Sequence, residues 1–445
     1  LTAGSPWIGS AALGLYGMTG RLIRPALGVF LSRRVQRGKE DASRIHERFG
    51  EARLGRPAGA LVWVHAASVG ETNSILPLVE LLCERGLSVL LTTVTVTSAG
   101  IAARRLPSGA VHQFVPLDVP SAVIPFLNHW RPDLALFAES ELWPTAMREL
   151  RRRRVPLVLV NARMSERSYR GWKRFQPLAR AMLRLTDRSL AQSTRDAGRL
   201  KALGAPHVRT TGNLKFDVPP PPVDAESLAA LSRQTAGRRI LFAASTHPGE
   251  EAILGEIHVR LAPRFPGLLT VIAPRHPERG PALADELAAS LAPDGTACVL
   301  RSREPEIVRG TGIYIADTVG EMGLWYRLAD LAFIGGSLVP HGGQNPIEAA
   351  KLGVAILHGP HTGNFVDIYR EFDGSGASLL IDGAGELESR VAELLADAAQ
   401  REAQVSNARA CIEGLSGALE RTVAELAPYL DDLTPDPRKN LAARA

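Results

Sequence analysis

Between residues 60 and 211 short apolar runs alternate with stretches of helical periodicity. The runs are 60–66, 88–94, 112–115, 133–137, 156–160, 189–192 and 208–211. Short β-rich apolar runs separated by helical patterns predict a parallel sheet covered on both faces by helices. Pro219, Pro220, Pro221 and Pro222 then interrupt the pattern. Four prolines neither continue a sheet nor fill a helix interior, so they read as a semi-rigid linker. A second series follows at 240–244, 268–273, 297–300, 313–316, 331–334, 355–357 and 378–381, and residues 383–428 are helical in pattern. The expected architecture is α/β: two doubly wound, Rossmann-like domains, 46–218 and 219–400, facing each other across a cleft. A C-terminal helix, 401–430, and a flexible polar tail, 431–445, complete it.

The first 45 residues are different in kind. Trp7, Ile8, Leu13, Leu15, Tyr16, Leu22, Ile23, Leu27, Val29 and Phe30 are interrupted by Arg21, Arg24 and Pro25. A spanning helix needs about 20 apolar residues without such breaks. The segment therefore reads as a membrane-associating helix, shallowly inserted or interfacial, with packing on its own domain as the alternative. Basic residues come after the apolar run instead of preceding it, which argues against a signal peptide and for a cytoplasmic location of the rest of the chain. The chain opens on Leu1 and not on methionine, as a truncated or alternatively started sequence would.

Length and charge refine this picture. At 445 residues the chain suits two domains of roughly 150 to 200 residues each. The net charge of +6 resides in the N-terminal segment, because Arg21, Arg24, Arg33, Arg34, Arg37 and Lys39 all precede the first acidic residue, Glu40. An excess so placed fits an anionic membrane surface better than a nucleic acid. Cys83, Cys298 and Cys411 are widely separated and form no CxxC pair, so neither disulfides nor a zinc site are expected. There is no GxGxxG in the first βα turn, no GxxxxGK[ST] and no HExxH. Hydride transfer, ATP hydrolysis and zinc peptidase chemistry thus lack their usual signatures.

In open parallel sheets ligands sit beyond the carboxyl ends of the strands, which directs attention to the loops there. Residues 329–360 read as strand, glycine-rich loop, a helix whose first turn carries Asn345 and Glu348, and a second strand. Such a unit suits a nucleotide sugar, with N–H donors for the phosphate and a carboxylate for ribose hydroxyls. Pro274 and Arg275, followed by His276, Pro277, Glu278 and Arg279, come after the second strand of this domain, and the turn Val319, Gly320, Glu321 comes after the fourth. Ser245, Thr246 and His247 follow the first. In the first domain, Glu71 lies in the turn His65-Ala-Ala-Ser-Val-Gly-Glu71, placed for a general base or for helix capping alone. Glu139 and Glu141 end the fourth strand. Glu139 suits base tuning or sugar binding, and Glu141 reads more simply as a helix N-terminal carboxylate. Lys215, just before the prolines, suits a departing phosphate or is a plain surface lysine. Arg163, Arg167, Arg170, Lys173 and Arg174, interleaved with Tyr169, Trp172 and Phe175, suit an anionic lipid, whereas the run Arg151 to Arg154 reads as a solvated helix face.

Taken in order over about residues 45–430, these motifs closely resemble those of the 3-deoxy-D-manno-octulosonic acid (Kdo) transferases of lipopolysaccharide biosynthesis, glycosyltransferase family 30. To those already quoted are added Glu139-Ser-Glu-Leu-Trp-Pro144, Asn161-Ala-Arg163, Gly212-Asn-Leu-Lys-Phe-Asp217 and Asp317-Thr-Val-Gly-Glu321. The resemblance implies a GT-B fold, CMP-Kdo as donor, a lipid A precursor (lipid IVA) as acceptor, inverting chemistry, no metal and no other cofactor. It implies Glu71 as general base, with Glu139 and Lys215 stabilising the transition state. Pro274, Arg275, Val319, Gly320, Glu321, Asn345, Pro346, Ile347 and Glu348 would hold CMP-Kdo, and Arg163, Arg167, Arg170, Lys173 and Arg174 the acceptor. The implied location is the cytoplasmic face of the inner membrane, with no nucleic-acid partner. The rival readings are another GT-B sugar-nucleotide enzyme, such as a hexose transferase or a UDP-sugar epimerase, and a non-catalytic membrane-surface binding protein.

Overall fold

The computed structural model describes residues 24–434 together with Gly14 and Tyr16. The rest of the expected membrane-associating run, and the tail from 435 onward, lie outside the described residues. The chain forms two compact units, residues 1–218 with 415–445, and residues 219–414.

The first unit is built on a parallel seven-stranded sheet: β1 (Leu61–His65), β2 (Ser88–Thr93), β3 (Ala110–Phe114), β4 (Leu134–Ala138), β5 (Leu157–Ala162), β6 (Arg188–Ala191) and β7 (Val208–Thr210), in the order β3-β2-β1-β4-β5-β6-β7. Every residue of β1, β4 and β5 is buried. On one face Trp63, Phe126, Trp130 and Phe137 form a core cluster, and each such side chain contributes about 1.5–3 kcal/mol by leaving water. The strand order reverses between β1 and β4, which opens a crevice at their carboxyl ends.

The second unit repeats the plan with β8 (Ile240–Thr246), β9 (Leu269–Pro274), β10 (Ala297–Leu300), β11 (Thr311–Ile315), β12 (Leu331–Ile334), β13 (Ala355–His358) and β14 (Leu379–Leu380). Their order is β10-β11-β9-β8-β12-β13-β14. Its reversal lies between β8 and β12.

Three features differ from the expectations. The helical segment 401–430 is two helices, Ala398–Leu415 and Ala418–Leu430, parted at Gly417, whose φ of 82° ordinary residues adopt at a cost. The second helix returns to the first unit, where Ala418, Val423, Leu426 and Leu430 join the core formed by Val79, Leu82 and Leu190. The second unit accordingly extends to residue 414 instead of 400. The proline run is not a free linker: Pro219 begins the second unit, and the Pro221 carbonyl accepts a 2.9 Å hydrogen bond from Arg327. In the N-terminal region, helix Arg24–Gln36 buries Leu31 and leaves Val29 and Phe30 exposed. No helix among the described residues is long and apolar enough to cross a membrane.

The returning helix is held by Asp217, whose carboxylate accepts the N–H groups of Gly417 (2.7 Å) and Leu419 (2.6 Å), and by Arg421, which donates to the Thr211 carbonyl. Replacing Asp217 by Ala is expected to destabilise the first unit by about 1–3 kcal/mol in urea and to remove hydrogen-exchange protection across 418–430. Unchanged protection there would refute this role.

Candidate active site

Past the carboxyl end of β1, Ser68 caps the helix Val69–Glu84, its hydroxyl accepting the Glu71 N–H. The Glu71 carboxylate accepts the Ala67 N–H and the Ser68 hydroxyl, both at 2.8 Å. The capping role is therefore real. Burial, then the charge of Glu139, then that of Glu141, push the Glu71 carboxyl above its ordinary pKa against the lowering effect of these bonds. Capping and a perturbed carboxyl coexist in one side chain.

β4 is followed by Glu139, whose φ of 51° is a left-handed conformation costing a non-glycine residue roughly 1 kcal/mol or more. Its carboxylate meets Lys215 at 2.8 Å, so Lys215 is no plain surface lysine. The Lys215 turn is fixed by Asn161, fully buried at the end of β5, which accepts the Leu214 N–H at 3.0 Å. Asn161 is itself left-handed, at φ 50°. Two strand ends thus adopt unfavourable backbone to bring a carboxylate and an ammonium together.

Glu141 departs from the simple reading. It does not sit in the helix Pro144–Arg152 but accepts the Trp143 indole N–H at 2.8 Å and lies 3.5 Å from His65 Nε2. Burial would raise its pKa, yet the His65 and Trp143 bonds outweigh this and hold the carboxyl below its ordinary range. His65 is fully buried, with Nδ1 2.9 Å from the Thr92 hydroxyl. The motif containing His65 gives it no role by itself. Its place on an otherwise apolar strand was the available signal.

The cations Arg167, Arg170, Lys173 and Arg174 lie exposed on the helix Glu166–Arg174, which buries no residue, and Phe175 beyond it is 65% exposed. Arg170 pairs with Glu166 at 2.8 Å. Arg163 stands half-buried at the end of β5, its carbonyl accepting the Ser140 hydroxyl. Arg152 and Arg153 pair with Glu149, and Arg151 with Asp187.

In the second unit, Pro274 ends β9 and the Arg275 N–H bonds the Thr246 carbonyl at 2.9 Å, leaving the guanidinium exposed. The turn after β11 presents Val319, 80% exposed, and Gly320. Glu321 turns inward: Arg301, unremarked in the sequence, grips it through two bonds of 2.8 and 3.2 Å, and the Thr318 hydroxyl adds another. Burial would raise the Glu321 pKa, but Arg301 and Thr318 lower it below the ordinary range. Asn345 is not in a first helical turn. The helix is only Ile347–Lys351, and the Asn345 side-chain oxygen accepts the Ile347 N–H at 3.1 Å, with Pro346 between them and half-buried Glu348 following.

A second unforeseen group is Glu250. Fully buried, it accepts four backbone N–H groups: His247 (2.9 Å) and Gly336 (2.7 Å) on one oxygen, Ser337 and Leu338 (both 3.0 Å) on the other. It joins the loops that follow β8 and β12, the pair of strands flanking the reversal.

A sequence profile described as 3-deoxy-D-manno-octulosonic-acid transferase (kdotransferase) matches residues 43–218. A 3-deoxy-D-manno-octulosonic acid transferase of Bordetella pertussis is 38% identical over 436 residues, covering 94% of this chain and 99% of that protein. One of Haemophilus influenzae is 33% identical over 400 residues, covering 87% and 92%. Among solved structures, a UDP-GlcNAc 2-epimerase of Neisseria meningitidis bound to UDP-GlcNAc superimposes with a TM-score of 0.57 at 13% identity, over 83% of this chain and 100% of that one. A glycosyltransferase of Rickettsia africae gives 0.56 at 12% identity, over 84% and 99%. These last two are likenesses of fold alone and mark the architecture as GT-B-like.

Replacing Arg301 by Met leaves Glu321 without its cation, and the second unit should lose about 1–3 kcal/mol at pH 7. Pairing depresses the folded-state pKa of Glu321, so the stabilisation is present above the unfolded value and lost as pH falls through the folded one. Denaturation midpoints of wild type and variant should converge in acid. A gap independent of pH would disprove the electrostatic account.

Proposed function

Because the chain belongs to the 3-deoxy-D-manno-octulosonic acid (Kdo) transferases, glycosyltransferases of lipopolysaccharide biosynthesis, we propose that it moves Kdo from CMP-Kdo to a lipid A precursor such as lipid IVA. The observation that carries the residue assignment is Glu71, a carboxyl with a raised pKa beside the Glu139–Lys215 pair at the reversal of the first sheet.

In this reading Glu71 takes the proton from an acceptor hydroxyl. The oxygen forms a bond to the anomeric carbon of Kdo from the face opposite CMP, the bond to the CMP phosphate breaks with its electrons, and configuration inverts. A raised pKa suits a base, which transfers protons best when its pKa lies nearer the working pH. The Ser68 hydroxyl is a neutral donor that an acceptor hydroxyl can replace at Glu71. Glu139 keeps Lys215 oriented, and the ammonium meets the charge that grows on the departing phosphate. We assign that charge to Lys215, with no metal and no other cofactor involved. Pro274, Arg275, the Val319–Glu321 turn and Asn345 to Glu348 hold CMP-Kdo. Glu321 acts by shaping its turn, since Arg301 occupies its carboxylate. Arg163, Arg167, Arg170, Lys173 and Arg174 face the acceptor phosphates, where guanidinium forks suit phosphate oxygens.

Incubation with CMP-Kdo and lipid IVA should release CMP and add Kdo mass to the lipid, and the absence of both would sink the proposal. Glu71→Gln should lower turnover by about 10²–10⁴-fold while CMP still binds. The wild-type rate should fall in acid with a midpoint above the ordinary glutamate value, and retained turnover in the variant would remove Glu71 from the base role.

The helix Arg24–Gln36 suits attachment to the anionic cytoplasmic face of the inner membrane, with Val29 (57% exposed) and Phe30 (52% exposed) entering the interface and Arg33 close by. Replacing Val29 and Phe30 together by Asp should reduce co-sedimentation with anionic vesicles. Unaltered partitioning would refute this attachment.

A further inference from the structure

The reversal of the second sheet lies between β8 and β12, and the loop after β8 carries His247 there. Two contacts hold its ring, and two further features fix the loop around it. The backbone N–H of His247 is held by Glu250, whose same oxygen accepts the Gly336 N–H. Gly336 has φ 65°, and a Cβ there would stand 3.0 Å from His247 Cδ2, so this glycine leaves the imidazole its room. The His341 ring stacks on it at 4.2 Å, with 13° between planes. The Gln344 amide nitrogen lies 3.3 Å from Nε2.

We propose that His247 is a substrate-contacting residue of the second unit, giving an imidazole N–H to a phosphate oxygen of the nucleotide-activated sugar beside the Arg275 guanidinium. The inference rests on the reading of residues 219–414 as the donor-binding unit. With the Gln344 amide donating to Nε2, the ring proton sits on Nδ1, which becomes the donor. The Arg275 N–H bonds the Thr246 carbonyl, so Arg275 and His247 leave the β8–β9 edge side by side.

The groups around His247 favour an uncharged ring. Burial first, and then His341, His276, Arg275 and Arg279, lower its pKa to about 4, while Glu250 and Glu251 are engaged elsewhere: Glu250 by backbone N–H groups, Glu251 by Arg279 at 2.9 Å. A neutral imidazole still donates one N–H, and donating it to an anion makes a charge-assisted bond without a second cation to desolvate. The fixed ring is ready for that contact before the ligand arrives, which reduces the ordering penalty of binding.

The test compares CMP, which carries the phosphate, with cytidine, which lacks it, by direct calorimetric titration and as inhibitors of transfer. His247→Phe keeps an aromatic ring against His341 and removes the N–H. It should weaken CMP about tenfold, the order of one charge-assisted hydrogen bond, and leave cytidine unchanged. His247→Asn, with an amide N–H near the Nδ1 position, should recover part of the CMP affinity, and it serves as the second reading if the Phe variant folds poorly. Equal weakening of CMP and cytidine would mean that the ring only supports the loop, and unchanged CMP affinity in both variants would mean that it makes no phosphate contact. Either result overturns the inference. Failure of wild type to bind CMP would instead overturn the donor-site reading on which it rests.

Discussion

A parallel strand covered on both faces has no solvent side on which to keep a polar side chain. β1, β4, β5, β9 and β12 are buried along their whole length in the two units, and an unpaired charge within them would cost several kcal/mol. Chemistry is therefore pushed to the residues just past each carboxyl end, where the chain turns into a helix and backbone N–H groups become available. Glu71, Glu139 and Lys215 in the first unit, and His247, Glu250, Arg275 and Glu321 in the second, all lie outside the strands for this reason.

Crowding charged groups into those turns has a consequence in each unit. In the first, three carboxylates share one neighbourhood, and their states diverge because their partners differ: Glu139 meets Lys215, Glu141 meets His65 and Trp143, and Glu71 has only neutral donors. Burial first, and then repulsion from Glu139 and Glu141, fall on the group with the weakest compensation, Glu71, whose pKa rises. In the second unit the carboxylates Glu250 and Glu321 serve as ties. One gathers four backbone donors from two loops, and the other holds an exposed turn against Arg301, whose guanidinium also lies over Trp325. Their rigidity allows neighbouring backbone and imidazole groups to meet a ligand already in position.

Much of this is legible in the chain itself. Each strand among the described residues overlaps one of the runs read from the chain, and the motifs containing Glu71, Glu139, Lys215 and Arg275 fall in the turns that follow strands because period and length place them there. What escaped involved pairings distant in sequence. Arg301 lies twenty residues before Glu321, and His65 lies 76 before Glu141, with nothing local to join them. The role of Glu250 depends on backbone donors from residues 336–338, which nothing near it in the chain announces. The break at Gly417 was hidden by a helical pattern that continues on both sides of it, and the affiliation of the final helix depends on Asp217, some two hundred residues earlier.

Local chemistry alone thus determined the strand and helix order, the division near the prolines, the family and the loops that carry reactive residues, because burial period and turn composition are properties of neighbouring residues. Tertiary structure decided which carboxylate is perturbed and which is tied down, where the last helix packs, and how His247 is held. Those outcomes depend on distances between remote strand ends, which arise only when each sheet has closed its hydrogen-bond register and its order reverses at β1–β4 and β8–β12.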